Sequence, residues 1–201
     1  MHLLNLKAIP IAYERKIYSL NTKELDIVKK TKYKKPKQGF YLSKTISLLE
    51  TPALAPLKKA MVDKAKEYAR TVLEIKDEIY LVHSWSTINT IDALHEEHDH
   101  PNAFIGVVYY AQCKDSFIRF YLYTTSIKEC FNFDFTIDKY NIYNSQTWNL
   151  SVEAGDMVIF PGHIRHGSVA NQSDLHRIVV GANFFIKGKM GSKEQVSLIT
   201  L

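Results

Sequence analysis

Between His95 and His100 the chain reads HEEHDH, three histidines and three carboxylates in six residues of a protein that has 8 histidines in all. Imidazole and carboxylate are ligands for divalent iron or zinc. A reactive site needs about three of them converging on one ion, with open positions left for what is to react. In an extended chain, residues i and i+2 face the same way. His98 and His100 can therefore share an ion, and so can His95 and Glu97. Neither pair is enough alone, because a His-x-His in a polar loop is commonly just solvated. The missing ligand must arrive from elsewhere, and GDMVIFPGHIRH, ending at His166, offers His163 and His166 behind a Gly-Asp turn and an apolar run.

Two segments so far apart can meet only if a sheet brings them together. From Ile79 onward, β-branched and aromatic residues dominate short runs broken by turn formers. IYLVHSWSTI, AFIGVVYYAQ, SFIRFYLYTT, FNFDFTID, QTWNLSV, DMVIFP and HRIVVGANFFI all read as strands. EAGD and ANQSD are the turns that lead into two of them. The preceding residues read as helical. NTKELDIVKK carries a cap at Asn21 or Thr22 with Glu24 in the first turn. PALAPLKKAMVDKAKEYARTVLEI repeats Leu57, Met61, Ala65, Tyr68 and Val72 at helical spacing behind Pro56. The expected fold class is α+β, mainly β: one domain with helical support over 1–78, a β core over 79–187 and a tail over 188–201. A sandwich or barrel braced on one side by helices satisfies that pattern.

HDHP, GVVYY, GDMVIFP, His166 and Arg177 follow one another in an order that resembles the 2-oxoglutarate- and Fe(II)-dependent dioxygenases, in particular their prolyl-hydroxylase-like branch. The resemblance covers about Ile79 to Ile186 and implies a double-stranded β-helix, or jelly roll. It further implies Fe(II) and the cosubstrate 2-oxoglutarate, with His98, His100 and His166 as metal ligands and as the catalytic set. Arg177 would bind the distal carboxylate of 2-oxoglutarate, assisted by the Tyr110 hydroxyl, with Tyr109 on the opposite side of the sheet. The expected activity is hydroxylation of an unidentified primary substrate, with release of succinate and CO2. On physical grounds alone, Arg177 is a lone guanidinium in an apolar strand and must be paired with something; its planar fork suits a carboxylate better than a lysine does.

The chain departs from the family where a carboxylate is usual, because His100 stands at i+2 from His98. Asp99 through a bulge, or the pair His95 and Glu97, are the competing ligand choices. A cupin-like metal protein is the second reading of the same motifs, although HPNAFIG lacks the glutamate that a cupin needs and Arg177 would have no task in it. His83 and Trp85 are expected to pack or to line the pocket, and Asn183 to meet the substrate. His163 is expected to be exposed and His176 to face away from Arg177, while His2 carries no signal.

The remaining numbers set limits. At 201 residues the chain suits one well-buried domain, and 46% hydrophobic with 23% charged residues is an ordinary globular balance. No apolar run approaches the roughly 20 residues of a membrane helix, and the first residues lack a secretory signal, so a cytoplasmic location is expected. Cys113 and Cys130 are read as buried, reduced thiols. The net charge of +5 owes much to KKTKYKKPK at 29–37, which is either a solvated loop or a surface for nucleic acid.

Overall fold

A computed structural model describes residue 2 and residues 8–122 and 136–201 of the chain. Most of the FNFDFTID segment, and Cys130, lie outside the described residues.

The strands are β1 (Ala12–Glu14), β2 (Phe40–Leu42), β3 (Glu78–Asn89), β4 (Ile105–Gln112), β5 (Ser116–Tyr121), β6 (Thr147–Val152), β7 (Met157–Pro161), β8 (His166–Ser168) and β9 (Arg177–Lys187). The short β10 (Lys189–Met190) and β11 (Ile199–Thr200) pair in the tail. Among the described residues, six strands form an antiparallel sheet in the order β1-β7-β4-β9-β3-β2, and β6-β5-β8 form a second sheet. This is the jelly-roll arrangement expected from the motifs.

Two helices, α1 (Thr22–Lys30) and α2 (Ala55–Thr71), back the larger sheet. Asn21 caps α1: its side chain accepts from the Glu24 amide at 3.0 Å while Glu24 accepts from the Asn21 amide at 2.8 Å. In α2, Leu57, Met61, Ala65 and Tyr68 are buried as their spacing predicts. Val72 instead caps the helix and is 45% exposed, because the helix ends before the stripe completes another turn. No described helix is long and apolar enough to cross a membrane.

The leading segment is less helical than its sequence suggests. β1 and β2 are drawn from it and become the two edges of the larger sheet, pairing with β7 and β3. β1 is anchored by the Gly-Asp turn. Asp156, wholly buried, accepts from the Tyr13 hydroxyl at 2.6 Å and from the Lys16 and Glu153 amides at 3.1 and 2.8 Å.

The pleat of β4 and β9 sorts residues between two cores. Ile105, Val107 and Tyr109 of β4, with Ile178, Val180, Ala182 and Phe184 of β9, face the helices. Val108 and Tyr110 face the smaller sheet, where Ile118, Phe120, Val152 and Phe160 complete a second core. Buried on both faces, β4 reads as a continuous apolar run. Tyr109 and Tyr110 accordingly divide as expected, with the Tyr109 hydroxyl donating to the Tyr18 carbonyl at 3.0 Å on the helical side. By the same alternation Arg177, Val179 and Gly181 face the space between the sheets.

Candidate metal centre

Backbone pairing, more than strand periodicity, brings the two histidine clusters together. His98 and His166 form an isolated antiparallel bridge, each amide donating to the other's carbonyl at 2.9 and 2.8 Å. The Ser168 amide donates to the His95 carbonyl at 3.0 Å, and the His100 amide to the Gly162 carbonyl at 2.9 Å. Residues 95–100 thus lie along 162–168 as an added edge of the smaller sheet. A residue directly opposite in such a pair presents its side chain on the same face. His98 and His166 therefore meet by register, and His100 follows two residues on.

The imidazoles converge. Ligand atoms of His98, His100 and His166 all lie within 4.8 Å of one another. The Nδ1 of His98 is 2.8 Å from the Glu96 carbonyl, and that of His166 is 2.9 Å from the Ile164 carbonyl. A carbonyl can only accept, so both Nδ1 atoms carry the proton and both Nε2 atoms keep a lone pair, the tautomer that outer hydrogen bonds fix in metal sites. His100 Nδ1 and Asn183 Oδ1 are each buried without a hydrogen bond of full geometry. They stand close enough that Asn183 favours the protonated ring. Room for His100 comes from Gly106: a Cβ there would stand 2.9 Å from His100 Nδ1 and 2.8 Å from the Phe160 ring.

Burial keeps these rings neutral. It lowers the pKa of His100 to about 4, with His98 nearby adding to the effect, and it pushes His166 well below the ordinary 6.5. His98 is lowered by the same cause. Three neutral imidazoles with free Nε2 atoms on one side of a cleft fit a divalent transition ion.

Arg177 lines the same cleft with Trp85, Val108, Tyr110 and Ser168. It is 1% exposed, yet among the described residues no carboxylate forms an ion pair with it. Its Nη1 donates to Ser116 Oγ at 3.1 Å. Its Nη2 donates to Ser168 Oγ and the Val169 carbonyl, both at 2.7 Å, and its Nε has no partner. Neutral oxygens hold the guanidinium in place without cancelling its charge, and a buried cation left so costs several kcal/mol. Tyr110, 3% exposed, is near enough for the Arg177 charge to oppose the rise that burial causes in its hydroxyl pKa.

The alternatives fall elsewhere. Glu97 pairs with Arg165, and neither Glu97 nor Asp99 joins the cluster. His95 lines the cleft but stacks between Phe40 and His98, with ring centroids at 4.4 and 3.9 Å. Burial, with the other imidazoles nearby and the Arg177 charge adding to the effect, brings its pKa to about 3. Trp85 lines the pocket, whereas His83 is exposed beyond the irregularity in β3. Asn183 serves His100 instead of reaching the cleft, because Gly106 opposite leaves the ring space beside it. His163 is exposed, as expected, and His176 is exposed as well. Cys113 is a free, half-buried thiol whose pKa burial raises to about 12. Sequence reasoning missed Ser116 and Ser168, which hold Arg177. Ser168 had a signal, since it stands at i+2 from His166.

Residues 83–183 match the family model of the 2OG-Fe(II) oxygenases. Among curated proteins, no sequence matches the chain. Solved structures show the same fold at low identity. HygX from Streptomyces hygroscopicus, with nickel, 2-oxoglutarate and hygromycin B bound, is 10% identical with a TM-score of 0.60, over 88% of this chain and 82% of that one. A Pseudomonas putida prolyl-4-hydroxylase is 13% identical with a TM-score of 0.57, over 91% and 96%. The epimerase SnoN from nogalamycin biosynthesis, described as non-heme and alpha-ketoglutarate-dependent, is 11% identical with a TM-score of 0.62, over 88% and 78%.

Proposed function

This chain belongs to the 2OG-Fe(II) oxygenase family, and on that premise we propose that it hydroxylates an organic substrate at a C–H bond with release of succinate and CO2. In this reading His98, His100 and His166 hold iron, and Arg177, assisted by Tyr110, holds the distal carboxylate of 2-oxoglutarate. Bound iron would supply the oxidising chemistry, coupling decarboxylation of 2-oxoglutarate by O2 to oxidation of the substrate.

The observation that carries the reading is the buried, charge-uncompensated Arg177 lining the cleft in which the three imidazoles meet. A dicarboxylate answers both ends of that arrangement: one end meets the guanidinium fork and the 2-oxo acid end meets the metal. Ser116 and Ser168 fix the fork, so little freedom is left to lose on binding. Tyr110 contributes a hydroxyl donor beside the same carboxylate. The apolar wall of Val108, Ile118 and Val179 limits water around the charged groups, which strengthens their interaction. The cupin-like alternative gives Arg177 no task and is set aside by the family match.

The histidine at position 100 has an electrostatic consequence. Three neutral ligands leave the ion its full +2 charge, and dianionic 2-oxoglutarate cancels it. HygX binds its metal together with 2-oxoglutarate; here each should strengthen the other's binding. The test is anaerobic addition of Fe(II) and 2-oxoglutarate, followed by O2. The reading expects a weak visible charge-transfer band, then succinate in stoichiometric amount, and product gaining one oxygen atom once a substrate is found. With no band and no succinate above background, it fails.

A further inference from the structure

We propose that the substrate is single-stranded nucleic acid, gripped through its phosphates by a lysine hairpin beside the mouth of the cleft; this rests on the oxygenase reading above. Residues 27–49 contain seven lysines and no acidic residue, more than the whole chain's net charge of +5, so the remainder of the protein is net acidic. The fold places this charge next to the site. Residues 32–37 turn back on 40–44 through a tight turn at Gln38 and Gly39, both at positive φ (47° and 77°). The returning strand is β2, at the edge of the larger sheet. Its Phe40 stacks on His95, which stacks on His98, and Lys37 reaches Glu96 at 2.9 Å.

Tyr33 turns inward, its hydroxyl 2.9 Å from Ser86 Oγ. Lys32 and Lys34 therefore turn outward, about 6.7 Å apart along the strand. The register sets Lys32 opposite Lys44, a like-charge pair that costs stability in a sheet. Lys29, Lys32, Lys34, Lys35 and Lys44 are all exposed and have no acidic partner among the described residues. Edge lysines protect a sheet from edge-to-edge pairing, but Lys29 lies on α1 and Lys35 lies outside β2, so that protection does not account for them.

The choice of polyanion follows from the residues beside the histidines. Asp92, Glu96, Glu97 and Asp99 adjoin them in sequence, and Glu96 and Glu97 already hold Lys37 and Arg165, so the carboxylates of an acidic peptide would have to compete with them for those cations. A nucleotide separates its charge from its reactive part. Its phosphate can stay on the lysines while a neutral base or sugar reaches toward Trp85 and the imidazoles, which line the cleft. His100 and His166 are 6% and 3% exposed, so a base stacked in a duplex could not reach them without being extruded.

The test measures fluorescence anisotropy of a fluorescein-labelled single-stranded DNA oligonucleotide titrated with Fe(II)-loaded protein at several salt concentrations, with and without 2-oxoglutarate. The proposal expects Lys32→Glu/Lys34→Glu/Lys35→Glu to weaken binding at least about tenfold and to flatten the salt slope by about 2, from roughly 0.7 per lost phosphate contact. Lys66→Glu on α2, behind the other face of the sheet, should change neither. The oligonucleotide should also raise succinate release by wild type. Wild-type affinity in the triple variant, displacement by poly-glutamate as effective as by unlabelled DNA, or equal preference for duplex would each overturn it. The 2-oxoglutarate affinity of wild type is measured in the same buffer. If 2-oxoglutarate binds and DNA does not, only the substrate assignment falls; if DNA binds and 2-oxoglutarate does not, the oxygenase reading falls instead.

Discussion

Replacing Arg177 by Met should separate ligand binding from folding. Truncating one partner of a buried charged pair costs roughly 2–5 kcal/mol, so 2-oxoglutarate affinity should fall at least about thirtyfold. In wild type loaded with metal, 2-oxoglutarate at a hundred times its Kd stabilises by ~2.7 kcal/mol, a rise in Tm of about 5–11 °C for a chain of this length. At the same ligand concentration the variant retains ~0.9 kcal/mol or less, a rise under ~4 °C. Without ligand, two effects oppose each other. Removing an uncompensated buried cation is favourable, while Ser116, Ser168 and the Val169 carbonyl lose their donors. The ligand-free Tm should therefore move by only a few degrees. Differential scanning fluorimetry of both proteins, with and without 2-oxoglutarate, reads both numbers. A variant that keeps the full ligand-induced rise would refute the role given to Arg177.

Other consequences are equally open to measurement. Gly106→Ala places a Cβ within 2.9 Å of His100 Nδ1 and should lower metal affinity by roughly 10- to 100-fold, as disturbing outer support of a ligand does; competition against a chelating dye reads it. Asp156→Ala orphans the Lys16 and Glu153 amides and the Tyr13 hydroxyl and should destabilise the fold by about 2–4 kcal/mol in urea titration, with little direct effect on metal affinity. In metal-free protein, the site histidines are neutral when folded and take up protons on unfolding. Stability should thus fall as pH drops from 6.5 toward about 4, and the fall should be shallower in His100→Gln.

Much of this centre was legible because its residues are chemically unusual for their surroundings. His98, His100 and His166 stand out in type and spacing, and Arg177 stands out within an apolar strand. Asn21 and Glu24 announce a helix start through local hydrogen bonds that need no tertiary context. The sequence does not separate His98 and His100 from His95 and Glu97, since both pairs share the i, i+2 spacing. What brings His98 beside His166 is a backbone bridge between them, a long-range register that sequence does not display. β1 and β2 escaped for the same reason: three residues each, they are strands only because β7 and β3 offer an edge. The position of the lysine hairpin was likewise hidden. Residues 29–37 are some sixty positions from the histidines, and the pairing of β2 with β3, together with the stack of Phe40 on His95, carries them to the mouth of the cleft.

The most direct test is anomalous diffraction at the iron edge from anaerobically grown crystals soaked with Fe(II) and 2-oxoglutarate. The account predicts one iron bound by the Nε2 atoms of His98, His100 and His166, with the distal carboxylate of 2-oxoglutarate on the Arg177 guanidinium. Iron held by Glu97 or Asp99, or a ligand carboxylate lying away from Arg177, would contradict it.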